Sequence, residues 1–291
     1  MLDATAGGYP GHLHALPPLP VRCLQDIERP RQHLVIALDD GCGMGSNVDP
    51  ACRAAVQVAG TLLASLGHEI VPVTSPTERE LFRRDYMLLV ACDTAGCVAE
   101  GAEMLGRALE VDDIEPATWL LRRIGETATG GETTRALWAL QQFTRRWLAW
   151  SDRFDALLTV ASGQLPPPIG ALDPGPAARA QILALARGGE ADPAMLRDIV
   201  ANAALRSLDY NPFTMIANVT GQPSMSVPFD DAGGLPVGVM LTGRVGEDHV
   251  LLNLAAQIER ARPWAHRLPP MLAAERARSG PAGAREADPA V

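Results

Sequence analysis

The sequence contains no lysine: all 25 of its basic residues are arginine. Arginine stays protonated at any workable pH, so every mechanism that needs a lysine as base is closed to this chain. Runs of positive charge are also absent. Basic residues stand singly or in pairs (Arg83-Arg84, Arg122-Arg123, Arg145-Arg146), the net charge is −9 and the pI is near 5.2. That excludes a nucleic-acid footprint and argues against an anionic-membrane partner. Aromatics are scarce at 4%, which leaves Leu, Val, Ile and Ala to build most of the core. No apolar run approaches the roughly 20 residues needed to cross a bilayer. The first residues carry neither a basic nor an apolar leader pattern. The expectation is a soluble cytoplasmic protein. Five cysteines (Cys23, Cys42, Cys52, Cys92, Cys97) show no CxxC spacing and read as reduced structural thiols. Six histidines (His12, His14, His33, His68, His249, His266) show no ligand spacing, so no metal is expected.

What is present suits one large or two ordinary globular domains: 291 residues, 47% hydrophobic. Met1 to Arg31, rich in Pro, Gly and His, reads as an extended arm. "HLVIAL" (His33 to Leu38) reads as a buried strand. Asp49-Pro50 then makes an N-cap with proline at the first helical position, and "ACRAAVQVAGTLLASLG" has helical apolar spacing ending at Gly67. "HEIVPV" closes a strand–helix–strand unit, the mark of a parallel pair. Thr77 to about Trp150 is helical in pattern. "FDALLTV" returns as a strand, and a helix is predicted from Asp192 to Leu208, with a shorter one near Pro212 to Val219. "PSMSVPF" and "LPVGVMLTG" read as two strands joined by a turn at "DDAGG". "EDHVLLNLAAQIERA" is the closing amphipathic helix. Residues 271–291, beyond Pro270, read as a disordered tail.

Three chemical motifs tempt and mostly fail. Gly41 to Ser46 lies between a strand and a helix, where a dinucleotide loop would lie, but Ser46 replaces the third glycine and Asp39-Asp40 would face a pyrophosphate. A flexible connection is the plainer reading. The pairs Asp39-Asp40, Asp112-Asp113 and Asp230-Asp231 could act as acid and base, but neighbours on an extended chain point opposite ways, so caps and turns are the plainer use. No cysteine sits in a recognisable nucleophile elbow.

Asn211 to Phe229, "NPFTMIANVTGQPSMSVPF", scatters small polar residues through an apolar stretch. With its continuation to Trp264, with "FDALLTVASGQLPPPIGALD", with "NVDPACRAAVQVAGTLLASLGHEIVPV" and with "LDATAGGYPGH" at the start, it resembles the carboxyl-terminal part of the amidase signature family. The stretch from Asn211 is close in flavour to bacterial amidases, including those that hydrolyse cyclic amide oligomers. The resemblance runs to about Pro270, making 32–270 the expected family domain. It implies an α/β fold with a mixed twisted sheet flanked by helices. It also implies hydrolysis of a small-molecule carboxamide to a carboxylate and an amine or ammonia, with no metal or organic cofactor. The family's nucleophilic serine is activated through a second serine and a lysine, and backbone N–H groups of a Gly/Ser-rich loop hold the oxyanion.

None of these catalytic residues has a position here. The chain has no lysine, and its nine serines include no adjacent pair. By position, the resemblance points to Ser162, Gln164, Phe213, Thr214 and Asn218 as substrate contacts; the alternative is that they satisfy buried backbone groups and cap the helix. The chain is therefore expected to be a piece of an amidase, inactive alone. Its expected partner is a separate chain bearing the missing catalytic half, or another copy of itself. The alternative is a non-catalytic binding or assembly protein on the same scaffold.

Overall fold

The computed structural model describes residues 2–7, 18–45, 47–172, 175–187, 192–232, 235–269 and 271–272. Its first half runs α1 (Leu2–Thr5), α2 (Cys23–Asp26), β1 (Val35–Asp39), α3 (Pro50–Ser65), β2 (Glu69–Pro72), α4 (Arg79–Leu81), a π-helical turn (Phe82–Tyr86), α5 (Met87–Leu105), α6 (Pro116–Glu126) and α7 (Gly130–Ser151). The second half runs β3 (Ala156–Val160), α8 (Pro176–Ala186), α9 (Pro193–Tyr210), α10 (Thr214–Thr220), β4 (Ser224–Ala232), β5 (Leu235–Gly243) and α11 (Asp248–Ala261).

The strands form one mixed sheet in the order β2-β1-β3-β5-β4, parallel from β2 to β3 and antiparallel from β3 to β4. The α/β expectation holds. Burial follows position: all five residues of β3 are buried, whereas the edge strand β2 buries none. α3 starts where the sequence signalled, because the Asp49 carboxylate accepts from Ala51 N and Pro50 occupies the first turn. Its apolar stripe (Ala55, Val56, Ala59, Leu63) joins the sheet core.

Three expectations need revision. The segment read as an extended arm contains two helical turns, α1 and α2, because the Asp3 carboxylate accepts from the N–H groups of Cys23 and Leu24 and draws the two together. α8 was not foreseen. β4 runs through Asp230 and Asp231, which were read as turn, with a register shift between Pro228 and Asp230 absorbing the irregularity. His12, His14, Ser46 and the tail 273–291 lie outside the described residues, and nothing is described of the Asp230 and Asp231 side chains.

The scarce aromatics are concentrated in one ladder. Phe82 meets Phe143 edge-on at 5.1 Å, and contacts of 5.7, 5.1 and 5.7 Å continue through Trp147 and Trp150 to Phe154. The ladder joins the π-helical turn to the start of β3. A smaller core (Ala91, Leu120, Ile124, Leu185, Leu196) holds α5, α6, α8 and α9 together.

A buried polar chain ties the N-terminal segment to α11. Asn253, fully buried, donates to the carbonyls of Asp26 and Arg29 at 2.6 and 3.1 Å, and its Oδ1 accepts from Gln257 Nε2 at 3.0 Å. Gln257 Oε1 lies 3.3 Å from His68 Nε2, and His68 Nδ1 accepts from Leu34 N. The acceptor role at Nδ1 places the ring proton on Nε2. Burial pushes the His68 pKa down, because a charged ring there loses its hydration. Between the folded and unfolded values the unfolded chain binds more protons, so this contribution is complete above about pH 6.5 and is lost as pH falls through the depressed folded value. The expected result is a melting temperature that drops between pH 7.5 and 5 more steeply in the wild type than in His68→Gln. Parallel curves would show that His68 does not titrate with unfolding.

Candidate functional site

The chain leaves β1 toward β2 on one side, while β3 lies on the other side and leads on to β5 and β4. Connections thus diverge at the carboxyl ends of β1 and β3, the position where open α/β sheets form a crevice. Three segments meet there: 40–45 with 47–49 after β1, 161–164 after β3, and 208–213 at the end of α9. Backbone hydrogen bonds sew them together. Met44 N donates to Pro212 O at 3.0 Å, Gly163 N to Tyr210 O at 2.9 Å, and Asp49 N to Gly163 O at 2.8 Å.

The glycines serve this seam. Gly43 has φ +51°, and a Cβ on it would stand 2.6 Å from Pro212 O and 2.8 Å from the Phe213 ring. A Cβ on Gly163 would stand 2.4 Å from Asp209 O. The loop read as a flexible connection is therefore packed against a neighbouring segment. At the start of α3 the Asp49 side chain occupies a first-turn N–H, and Pro50 has none to offer a phosphate.

Asp39 and Asp40 point apart, as their spacing required. Asp39, buried, accepts from Gly41 N and Ser75 N, each at 2.8 Å. Asp40 accepts from Gln57 at 2.8 Å and lies 3.5 Å from Arg53. Burial and the neighbouring Asp49 charge raise the Cys52 thiol pKa, keeping it protonated and unreactive.

The five sequence-selected residues are placed unequally. Ser162 Oγ lies 2.8 Å from Gln164 O and 3.0 Å from Tyr210 O, and Gln164 Nε2 donates to Asn47 O at 3.1 Å. Phe213 is 2% exposed and lies against Gly43. These three meet in the crevice. Thr214 opens α10, half-buried, and Asn218 is exposed one turn further along it. Other polar groups of the same stretch support backbone. Gln222 accepts from Trp147 Nε1 at 2.7 Å and donates to Gly243 O at 2.8 Å, and Ser224 pairs with Thr242 across the strands at 2.8 Å.

Among the described residues, no serine or cysteine of the crevice has a histidine or carboxylate as side-chain partner, which an activated nucleophile needs. The Ser75 hydroxyl, buried beside Asp39, has no hydrogen-bond partner at all. Ser75 and the glycine seam were missed by sequence reasoning. The alternating Gly41, Gly43 and Gly45 were the available signal, since that pattern also serves close backbone approach. Among the described residues, the crevice presents the Ser162 hydroxyl and the Gln164 amide, both bonded to backbone carbonyls.

Residues 1–252 match the family model Amidase. The chain is 28% identical over 278 residues to 6-aminohexanoate-cyclic-dimer hydrolase of Pseudomonas sp. (strain NK87), which covers 94% of this chain and 53% of that protein. It is 28% identical over 218 residues to lipoamidase of Enterococcus faecalis, covering 74% of this chain and 29% of that one. A solved structure of 6-aminohexanoate cyclic dimer hydrolase superposes with a TM-score of 0.79 at 27% identity, over 93% of this chain and 54% of that one. The chain thus spans about half the length of the cyclic-dimer hydrolases it matches. Sheet order, crevice and sequence agree on the assignment: the chain belongs to the Amidase family.

Proposed function

We propose that this chain supplies the substrate-facing wall of a two-part amide hydrolase and does not cleave amides by itself. The observation that carries this is a family match over residues 1–252 in a chain with no lysine and no adjacent serine pair. Loss of such a catalytic set removes many powers of ten in rate. In this reading Ser162, Gln164, Phe213, Thr214 and Asn218 face a small-molecule amide. The nucleophile and its base arrive on a separate chain or by self-association. Surface left open fits that need. Ile169 and Leu172 are exposed on the loop after β3, and among the described strands β2 and β4 have no outer neighbour.

The test is to purify residues 1–291 and follow release of amine or ammonia from simple amides and from the cyclic dimer of 6-aminohexanoate. No release above blank is expected. Turnover is expected to return on adding the half of a cyclic-dimer hydrolase that this chain does not match. Turnover by the homogeneous chain alone would overturn the proposal. The continuous main core, spanning sheet and helices, favours a second reading: a self-sufficient binding or assembly protein. A monodisperse, cooperatively melting chain that binds an amide and gains no activity from the added half would select it.

A further inference from the structure

The helical layer forms a half-open cavity of about 520 Å³, within the range of small-molecule sites and lined by none of Ser162, Gln164, Phe213, Thr214 and Asn218. Met87, Leu88, Ile124 and Val200 give it an apolar wall. The π-helical turn contributes Arg83, Arg84 and Asp85 to its rim, and such turns recur at ligand sites.

The charges around it do not cancel evenly in hydrogen bonds. Arg83 is held by both oxygens of Glu80 at 2.6 and 2.7 Å and is flanked by the Asp198 charge; Arg84 is held by Asp85 at 2.9 and 3.1 Å. Arg197 Nη1 donates to Glu132 at 2.7 Å and Nη2 to Thr127 O at 3.1 Å. Glu132 is fixed by the Thr129 N–H and by Arg197, which hold its carboxyl down to about 2, so that ion pair persists at any physiological pH. One donor group remains: Arg135, exposed at the same cavity, makes no hydrogen bond or ion pair with any described residue. Arg197 Nε has no acceptor but is closed off from solvent, and the rest of its guanidinium stays paired with Glu132.

We propose that this cavity binds a small organic monocarboxylate. Its carboxylate accepts from Arg135, and its aliphatic chain covers Met87, Leu88, Ile124 and Val200. The apolar wall disfavours inorganic phosphate, and the unpaired guanidinium of Arg135 disfavours a neutral alcohol. The site needs no turnover, so it stands or falls apart from the amide-cleavage reading.

The experiment is calorimetric titration of the full chain with hexanoate, with hexan-1-ol and inorganic phosphate as comparison probes. Saturable hexanoate binding at one site is expected, with neither comparison probe competing. Arg135→Ala, which breaks no described contact, is expected to weaken binding about tenfold or more, with Arg135→Lys recovering part of it. An unchanged melting curve for Arg135→Ala would exclude misfolding as the cause. Absence of hexanoate binding, equal binding of hexan-1-ol or phosphate, or an unaltered affinity in Arg135→Ala would each overturn the assignment.

Discussion

Replacing Trp147 with alanine is expected to remove about 3–5 kcal/mol of unfolding free energy, read from urea denaturation midpoints at constant slope. Trp147 is 1% exposed and sits in the middle of the aromatic ladder, between Phe143 and Trp150. Truncation opens a void in the main core. It also removes the indole N–H from Gln222 Oε1, leaving that acceptor only the longer 3.2 Å contact from Thr220. Trp147→Phe is the milder step, because it keeps a six-membered ring in the ladder and loses the donor together with the five-membered part of the indole. Its expected cost is about 1–3 kcal/mol. Since a typical domain is stable by about 5–15 kcal/mol, the alanine variant would be marginal. An alanine cost below about 1 kcal/mol would show that the ladder does not join the helical layer to the sheet.

That ladder also explains the mixed character of Asn211 to Phe229. Gln222 sits in this apolar stretch because it serves four partners at once: Trp147, Thr220, Ser151 and the Gly243 carbonyl at the end of β5. The stretch is polar where backbone or indole needs a partner and apolar elsewhere. Substrate contact would use only Phe213, Thr214 and Asn218 at its amino-terminal end.

Much of the fold was readable because local and global signals agreed. Asp49-Pro50 and Gly67 bracket α3 within a residue or two, and the strand–helix–strand reading became the parallel β1–β2 pair. The closing helix was equally plain, since His249 to Ile258 carries a strong apolar face. α8 was not foreseen because Pro176 to Ala186, Ala-rich and largely exposed, shows no stripe for periodicity to detect, even though Pro at its start is a helix signal. The helical turns α1 and α2 depend on Asp3 meeting Cys23 and Leu24, a contact some twenty residues away that no local pattern encodes. The crevice was half legible. Ser162, Gln164 and Phe213 were named by resemblance; the segments that carry them approach one another because Gly43 and Gly163 lack a Cβ. Nothing in the sequence distinguishes a glycine needed for flexibility from one needed for close approach.

Gly163→Ala tests that distinction, and its expected cost is about 1–3 kcal/mol or more from overpacking. The added Cβ would lie 2.4 Å from Asp209 O and 3.2 Å from Pro212 Cγ, neither of which is a flexible side-chain end. Relief requires moving 161–164 away from 209–212, against the Gly163 N–H bond to Tyr210 O and the Asp49 N–H bond to Gly163 O. Gly43→Ala strains the same place from the other side. It forces a side chain onto φ +51° and against Pro212 O at 2.6 Å, adding about 1–2 kcal/mol of backbone strain to the clash. Both substitutions are relieved by one movement, the withdrawal of residues 209–212. Once Gly43→Ala has displaced that segment, Gly163→Ala has less left to break. The double variant is therefore expected to cost about 0.5–3 kcal/mol less than the sum of the two single variants, measured as a cycle by urea denaturation. Strict additivity would mean that the two glycines guard separate contacts, and that the crevice is not closed by a single seam along residues 209–212.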